Sequence, residues 1–189
     1  SEFRRGEMVL LVLDQSDGGQ TGVVAMAAEC CEASHVTFMA RQARGLVSLA
    51  LTEARCEQLN LPPMVDPATS GAVKLSIEAS TEIDTGISAA DRARTVRVAV
   101  APDAKPSDLV QPGHIFPVAT LSGGVLIRTG AAEAGVDLAT LAGLTPAAVF
   151  AEVLDTHGEL ADASALVAFA DAHDLRVGRV TDLVDYRLN

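Results

Sequence analysis

Two side chains in this sequence have types suited to moving protons: Glu152, set in the apolar run AVFAEVL, and His114, between Gly113 and Ile115 in a proline-flanked segment. Imidazole exchanges protons near neutral pH unaided, whereas a carboxylate does so only when burial or a neighbour shifts it. Glu152 therefore reads either as a functional group or as a structural one with a buried partner. His114 is open in the same way, between hydrogen bonding in the core and contact with a ligand. Arg128 closes the apolar stretch GGVLIR, where a guanidinium either binds an anion or holds the fold through a carboxylate. Asp14 and Asp17, in DQSDGGQTG, are further candidates for proton transfer. That loop has neither GxGxxG spacing nor a Lys followed by Ser or Thr, which argues against a nucleotide cradle. His35, His157 and His173 are dispersed and no HxxxH or CxxC occurs, so no metal site and no cofactor are expected.

The elements that must position these groups follow from hydrophobic periodicity. Residues 8–14 (MVLLVLD) read as a buried strand running into the Gly-rich loop, and VVAMAAECC as a second strand or short helix. A helix is expected from Ser34 through HVTFMARQARG, then a strand in LVSLALT and a short helix in EARCEQLN. DPATSGA reads as a loop and VKLSIEA as an alternating strand. Ser88, with Asp91 three residues on, is a variant capping box opening the next helix; Asp91 is either that cap, with Arg92 as a surface pair, or a ligand contact. Residues 102–119 read as a Pro-rich connection, GGVLIR as a strand, and AAEAGVDLATLAGL as an amphipathic helix ending near Gly143. AAVFAEVLD reads as a strand, DASALVAFADAHD as a helix capped by Asp162 or Ser164, and the end as a short strand and terminal helix. Strands and helices alternate without a strict βαβ period. The expectation is an α+β fold, one domain over 1–189 with a mixed sheet and packed helices.

The chain has 189 residues, 49% apolar, with no Trp and 3% aromatic residues, so its core must be built from Ala, Val and Leu. Ser1 to Phe3 are a candidate cloning remnant. A net charge of -11 repels phosphate backbones and anionic lipid headgroups, so neither nucleic acid nor a membrane is an expected partner. It does not argue against a small phosphorylated ligand, which a few local donors can hold. Three cysteines, Cys30, Cys31 and Cys56, form neither a disulfide framework nor a zinc spacing, and suit buried thiols in a cytoplasmic protein.

Three ordered stretches, residues 84–97 (DTGISAADRARTVR), 105–119 (KPSDLVQPGHIFPVA) and 123–155 (GGVLIRTGAAEAGVDLATLAGLTPAAVFAEVLD), resemble the 3,4-dihydroxy-2-butanone 4-phosphate synthase family. Members convert ribulose 5-phosphate to a four-carbon phosphate plus formate. The resemblance implies an α+β homodimer with active sites near the subunit interface. It places a sugar phosphate at Arg128, Thr129 and Gly130, the next loop at Thr85, Ser88 and Asp91, a substrate-contacting His at His114, and a carboxylate near the reacting carbons at Glu152. It also exposes departures. The family's acidic loop DDEDRENEGD reads DQSDGGQTGV here, with Gly18 at the substrate-contacting Arg, Gly19 at the magnesium-binding Glu, and Thr21 and Val23 at further acids; Asp14 and Asp17 match. In RxGHTEAxxDL, whose His is the other magnesium ligand, this chain has Ala131 at the His and Ala132 at the Thr.

Divalent metal neutralises the charge that the family reaction places on the sugar oxygens. Without either protein ligand, ordinary magnesium-dependent synthase activity is not expected. Three readings follow: a divergent enzyme that binds a sugar phosphate and performs a metal-independent step, a non-catalytic pseudoenzyme acting as ligand sensor or structural partner, and a synthase with a relocated metal site.

Overall fold

A computed structural model describes residues 1–65 and 72–189 of the chain. Residues 66–71, most of the expected DPATSGA loop, lie outside it. Among the described residues seven strands form one mixed sheet: β1 (Val9–Asp14), β2 (Gln20–Ala27), β3 (Ser48–Thr52), β4 (Ile77–Ala79), β5 (Leu109–Thr120), β6 (Ala147–Glu152) and β7 (Arg176–Arg179), in the order β4-β5-β3-β6-β2-β1-β7. The pairs β1/β7 and β3/β5 are parallel; the others are antiparallel. Six α-helices are present among the described residues: α1 (Ala33–Phe38), α2 (Glu53–Gln58), α3 (Ala89–Val100), α4 (Ala131–Leu141), α5 (Ala163–Ala172) and α6 (Val180–Leu188). The α+β single-domain expectation holds.

Alternating side chains point to opposite faces of a strand, so a strand covered on both faces must be apolar throughout. This explains the unbroken run MVLLVLD. Leu10 and Val12 join Val24, Met26, Leu49 and Val149 under α1, α2, α3 and α5. Val9 and Leu11 join Val23, Ala25, Ala50 and Phe150 under α4 and α6. Small side chains set the spacing on the second face: a Cβ added at Gly135 of α4 would stand 2.6 Å from the Ala148 Cβ.

Several local expectations need correction. The Pro-rich connection is strand β5, because a proline carbonyl still accepts: Pro117 takes a hydrogen bond from the Lys74 amide at 2.9 Å. GGVLIR is a 3-10 turn over Gly124–Leu126, since Gly123 (φ 100°) and Gly124 (φ 61°) are left-handed and turn the chain out of the sheet. VKLSIEA keeps strand pairing only as β4 and as isolated bridges at Val73 and Lys74. VVAMAAECC is strand as far as Ala27. The helix expected from Ser34 is capped by Glu32 and continues past Phe38 as a π-helical turn to Ala43. Asp162, rather than Ser164, accepts the capping bond of α5.

Candidate functional site

Strand alternation decides which candidates meet. On β6, Ala148 and Phe150 face the α4 side, so Glu152 emerges on that side as well. On β5, Ile115 and Ala119 belong to the opposite core, which turns His114 toward α4. Ser48 of β3 pairs with Phe116 on one side and Phe150 on the other. Because β5 runs parallel and β6 antiparallel to β3, His114 and Glu152 both lie two residues beyond that row, in the same direction. Two strand spacings separate their backbones, roughly 10 Å. Here the chain passes Glu152 at Gly45, where an added Cβ would overlap the Glu152 backbone. Glu152 and His114 therefore stand on the α4 face with the chain leading into β3 between them.

His114 does not stand alone. Its Nδ1 meets Glu78 Oε1, and the Glu78 side chain is only 15% exposed against 42% for His114. Glu78 did not stand out in the sequence, where it is one residue of an alternating strand. The available signal was an acidic residue in a segment that leads into the 84–97 motif.

Arg128 serves the fold. Its Nε donates to Glu133 Oε1 at 2.9 Å, its Nη2 reaches the same carboxylate, and Nη2 also donates to the Ala119 carbonyl at 3.1 Å. Glu133 is 1% exposed and accepts a further bond from the Leu121 amide at 3.3 Å. Thr129 is exposed, and Gly130 is the N-cap of α4 with no side-chain capping bond. An added Cβ at Gly130 would crowd Glu133 Oε2, so the glycine lets that carboxylate fold back under the first turn. The site thus offers helix amides and one guanidinium to an anion, with Glu133 offsetting part of their charge.

At the start of α3, Ser88 Oγ accepts from the Asp91 amide at 3.0 Å, and Asp91 Oδ2 accepts from the Gly86 amide at 3.0 Å. Burial alone would raise the Asp91 pKa, but the Ser88 hydroxyl and the amides of Gly86, Asp84 and Thr85 hold it below the ordinary carboxylate value. Ser88 and Asp91 are therefore caps, while Thr85 is exposed beside them. The expected Asp91–Arg92 surface pair does not form: Arg92 Nε is buried without a hydrogen-bond partner among the described residues.

The β1–β2 loop closes on itself. Gln15 and Gly19 pair through the backbone at 2.8 Å, Gly18 has φ 85°, and Asp17 Oδ1 accepts from the Gly19 amide at 2.9 Å. This is a three-residue hairpin loop with glycine at its left-handed position. Asp14 shares the face of Leu10 and Val12, opposite to that of Glu152 and His114. It accepts from Gln20 at 2.8 Å and from Arg179 at 3.0 Å, and these two partners, Gln20 first, hold its pKa below the usual value. The structure therefore turns Asp14 away from the face of Glu152 and His114, while Asp17 bonds within its own loop.

Thr21 and Val23 do share the face of Glu152, and Val23 pairs directly with it. Neither offers a carboxylate. Gly19 and Ala131 carry no ligating atom, and among the described residues no three His, Cys, Asp or Glu side chains gather as they would around a metal ion. These residues do not fit the family's magnesium. A cavity of about 430 Å³ lies elsewhere, between α4, α6 and β7, lined by Phe3, Val9, Leu138, Leu183 and Tyr186. No helix among the described residues is long and apolar enough to cross a membrane.

A mixed sheet covered on both faces by helices defines an α+β domain, with Glu152 and His114 on the α4 face at one end of the sheet. The chain belongs to the 3,4-dihydroxy-2-butanone 4-phosphate synthase family, which it matches over residues 1–186. It is 51% identical over 191 residues to the 3,4-dihydroxy-2-butanone 4-phosphate synthase of Pseudomonas syringae pv. tomato, covering all of this chain and 52% of that one. It is similar to the crystal structure of RibBX, a two-domain synthase from A. baumannii, with TM-score 0.92 and 46% identity over 98% of this chain and 55% of that one. A synthase in complex with two magnesium ions is similar at TM-score 0.87 and 35% identity, over 97% of this chain and 92% of that one. The chain spans about half the length of the first curated relatives it matches.

Proposed function

We propose that this domain binds a sugar phosphate or related polyol phosphate and does not carry out the family's magnesium-dependent conversion of ribulose 5-phosphate. One observation carries the reading. At both positions where the resemblance implies magnesium ligands stand Gly19 and Ala131, neither with a donor atom, and no replacement cluster forms among the described residues. The loss of ligands on two distant segments favours altered function over local drift. The placement of Glu152 and His114 on one face, with the uncapped α4 terminus and the half-exposed Arg128 guanidinium, supports retention of an anionic ligand.

Whether a metal-independent step such as enolisation follows, or the domain acts as a sensor or partner, is the finer question that turnover decides. A second reading, ordinary synthase activity with a relocated metal site, is favoured by the 51% identity to a protein named as a synthase. One experiment separates them: incubation with ribulose 5-phosphate, with and without magnesium, following formate, the four-carbon product and melting temperature. Stabilisation rising as RT ln(1 + [L]/Kd) without formate is the expected result. Magnesium-dependent formate release would overturn the reading in favour of the synthase, and absence of any stabilisation would remove the ligand.

A further inference from the structure

We infer that Glu78 is a positioning residue that fixes His114 in its Nδ1–H tautomer, so that Nε2 is presented as a hydrogen-bond acceptor for a hydroxyl group of the bound ligand. A carboxylate only accepts, so the ring nitrogen that meets Glu78 Oε1 must carry the proton. In the neutral ring the other nitrogen then has a lone pair and no hydrogen. An acceptor at that point selects a ligand that donates, such as a polyol, and disfavours one that presents a carboxylate or carbonyl there.

Three backbone features converge on this pair. The β4/β5 register shifts between Ile77, which pairs with Ile115, and Glu78, which pairs with Val110. Such irregularities re-aim a side chain relative to the regular pleat. Gly113, immediately before His114, passes so close to β4 that an added Cβ would overlap the Ile77 carbonyl, and its amide donates to Ser76 Oγ at 3.0 Å. Gly86, at φ 78°, occupies a left-handed turn where an added Cβ would overlap the Glu78 carboxylate itself. A strand end, a neighbouring strand and the loop before α3 therefore all leave room for one carboxylate behind one imidazole. Partners behind a functional His commonly set its tautomer and ring orientation in this way.

The inference rests on the ligand-binding reading for its ligand but not for its tautomer, and two measurements keep these apart. Nitrogen-15 NMR of histidine-labelled protein at pH 8 reads the tautomer without any variant. Protonated Nδ1 and unprotonated Nε2 are expected for His114, and an Nε2–H ring overturns the inference. Titration calorimetry then compares ribulose 5-phosphate with inorganic phosphate in the wild type and in Glu78→Gln. The Gln amide can donate to Nδ1 and move the proton to Nε2. The preference for ribulose 5-phosphate over phosphate should fall about tenfold, while phosphate affinity is unchanged. An unchanged preference in a variant whose tautomer has switched overturns the inference. Glu78→Asp, which restores an acceptor, should recover tautomer and preference together. Failure of the wild type to bind ribulose 5-phosphate would instead remove the ligand reading above, and the tautomer would stand or fall on the spectrum.

Discussion

Replacing Arg128 with Met would leave the Glu133 carboxylate, 1% exposed, with the Leu121 amide at 3.3 Å as its remaining donor. Stranding a fully buried charge costs about 3–5 kcal/mol. Arg128 is 39% exposed, so water already screens the pair and can enter the vacated space. Discounted for that screening, the expected loss is about 2–3 kcal/mol. At about 2–4 °C per kcal/mol for a chain of this length, melting should fall by roughly 5–10 °C. Adding Glu133→Gln removes the stranded charge while keeping a side-chain oxygen for Leu121. The double variant should therefore be more stable than Arg128→Met alone, with a coupling of about 1 kcal/mol or more. Calorimetric or denaturant unfolding of the four proteins closes the cycle. If Arg128→Met changed stability by under about 0.5 kcal/mol, the structural role of its pair with Glu133 would be refuted, whatever the variant did to stabilisation by ribulose 5-phosphate.

Gly86→Ala combines a left-handed backbone at φ 78° with overlap on Glu78; it should cost about 1–3 kcal/mol and displace the His114 ring resonances, and a neutral, spectrally silent variant would contradict the packing. Burial pushes the thiols of Cys31 and Cys56 up to about 12, so both should resist alkylation at pH 8 in the folded protein while Cys30, less buried, labels first; rapid modification of Cys31 before unfolding would contradict this. The double substitution Gly19→Glu with Ala131→His should confer manganese binding detectable by electron paramagnetic resonance, and no binding by a folded variant would show that those positions do not converge. The Asp14 and Asp91 carboxyls are held below their ordinary values in the fold. Their stabilisation is thus fully present above the unfolded pKa near 4 and is lost as pH falls through the folded values. Melting temperature should drop on acidification below about pH 4, and Asp14→Asn with Asp91→Asn should flatten that drop; an equal drop in the variant would locate the acid lability elsewhere.

Much of the framework is legible in linear order because it depends on local chemistry. MVLLVLD and AAVFAEVLD are apolar without interruption, as strands covered on both faces must be, and Ser88 with Asp91 marks the start of α3 through bonds that span three residues. Gly19 and Ala131 are likewise informative as bare letters, since a side chain without a donor atom cannot ligate wherever it lies. Strand β5 was hidden because its prolines suggest a connection, and the Pro117 carbonyl accepts from the Lys74 amide only once that segment is alongside. The turn at Gly123 and Gly124 was hidden too, because the space for a Gly124 Cβ is filled by Asp137, thirteen residues away in α4.

The site itself was decided by tertiary structure. Arg128 meets Glu133 within one local segment, but whether that carboxylate is buried depends on the sheet beneath it. Asp14 matches the family letter for letter and nonetheless lies on the face opposite Glu152, because strand parity relative to two cores assigns its direction. Glu78 and His114 are 36 residues apart and meet only through a register shift and two close glycine contacts. Residue identity settles what a side chain can do, whereas which groups share a face, and which of them water reaches, is set by pairing across distant segments.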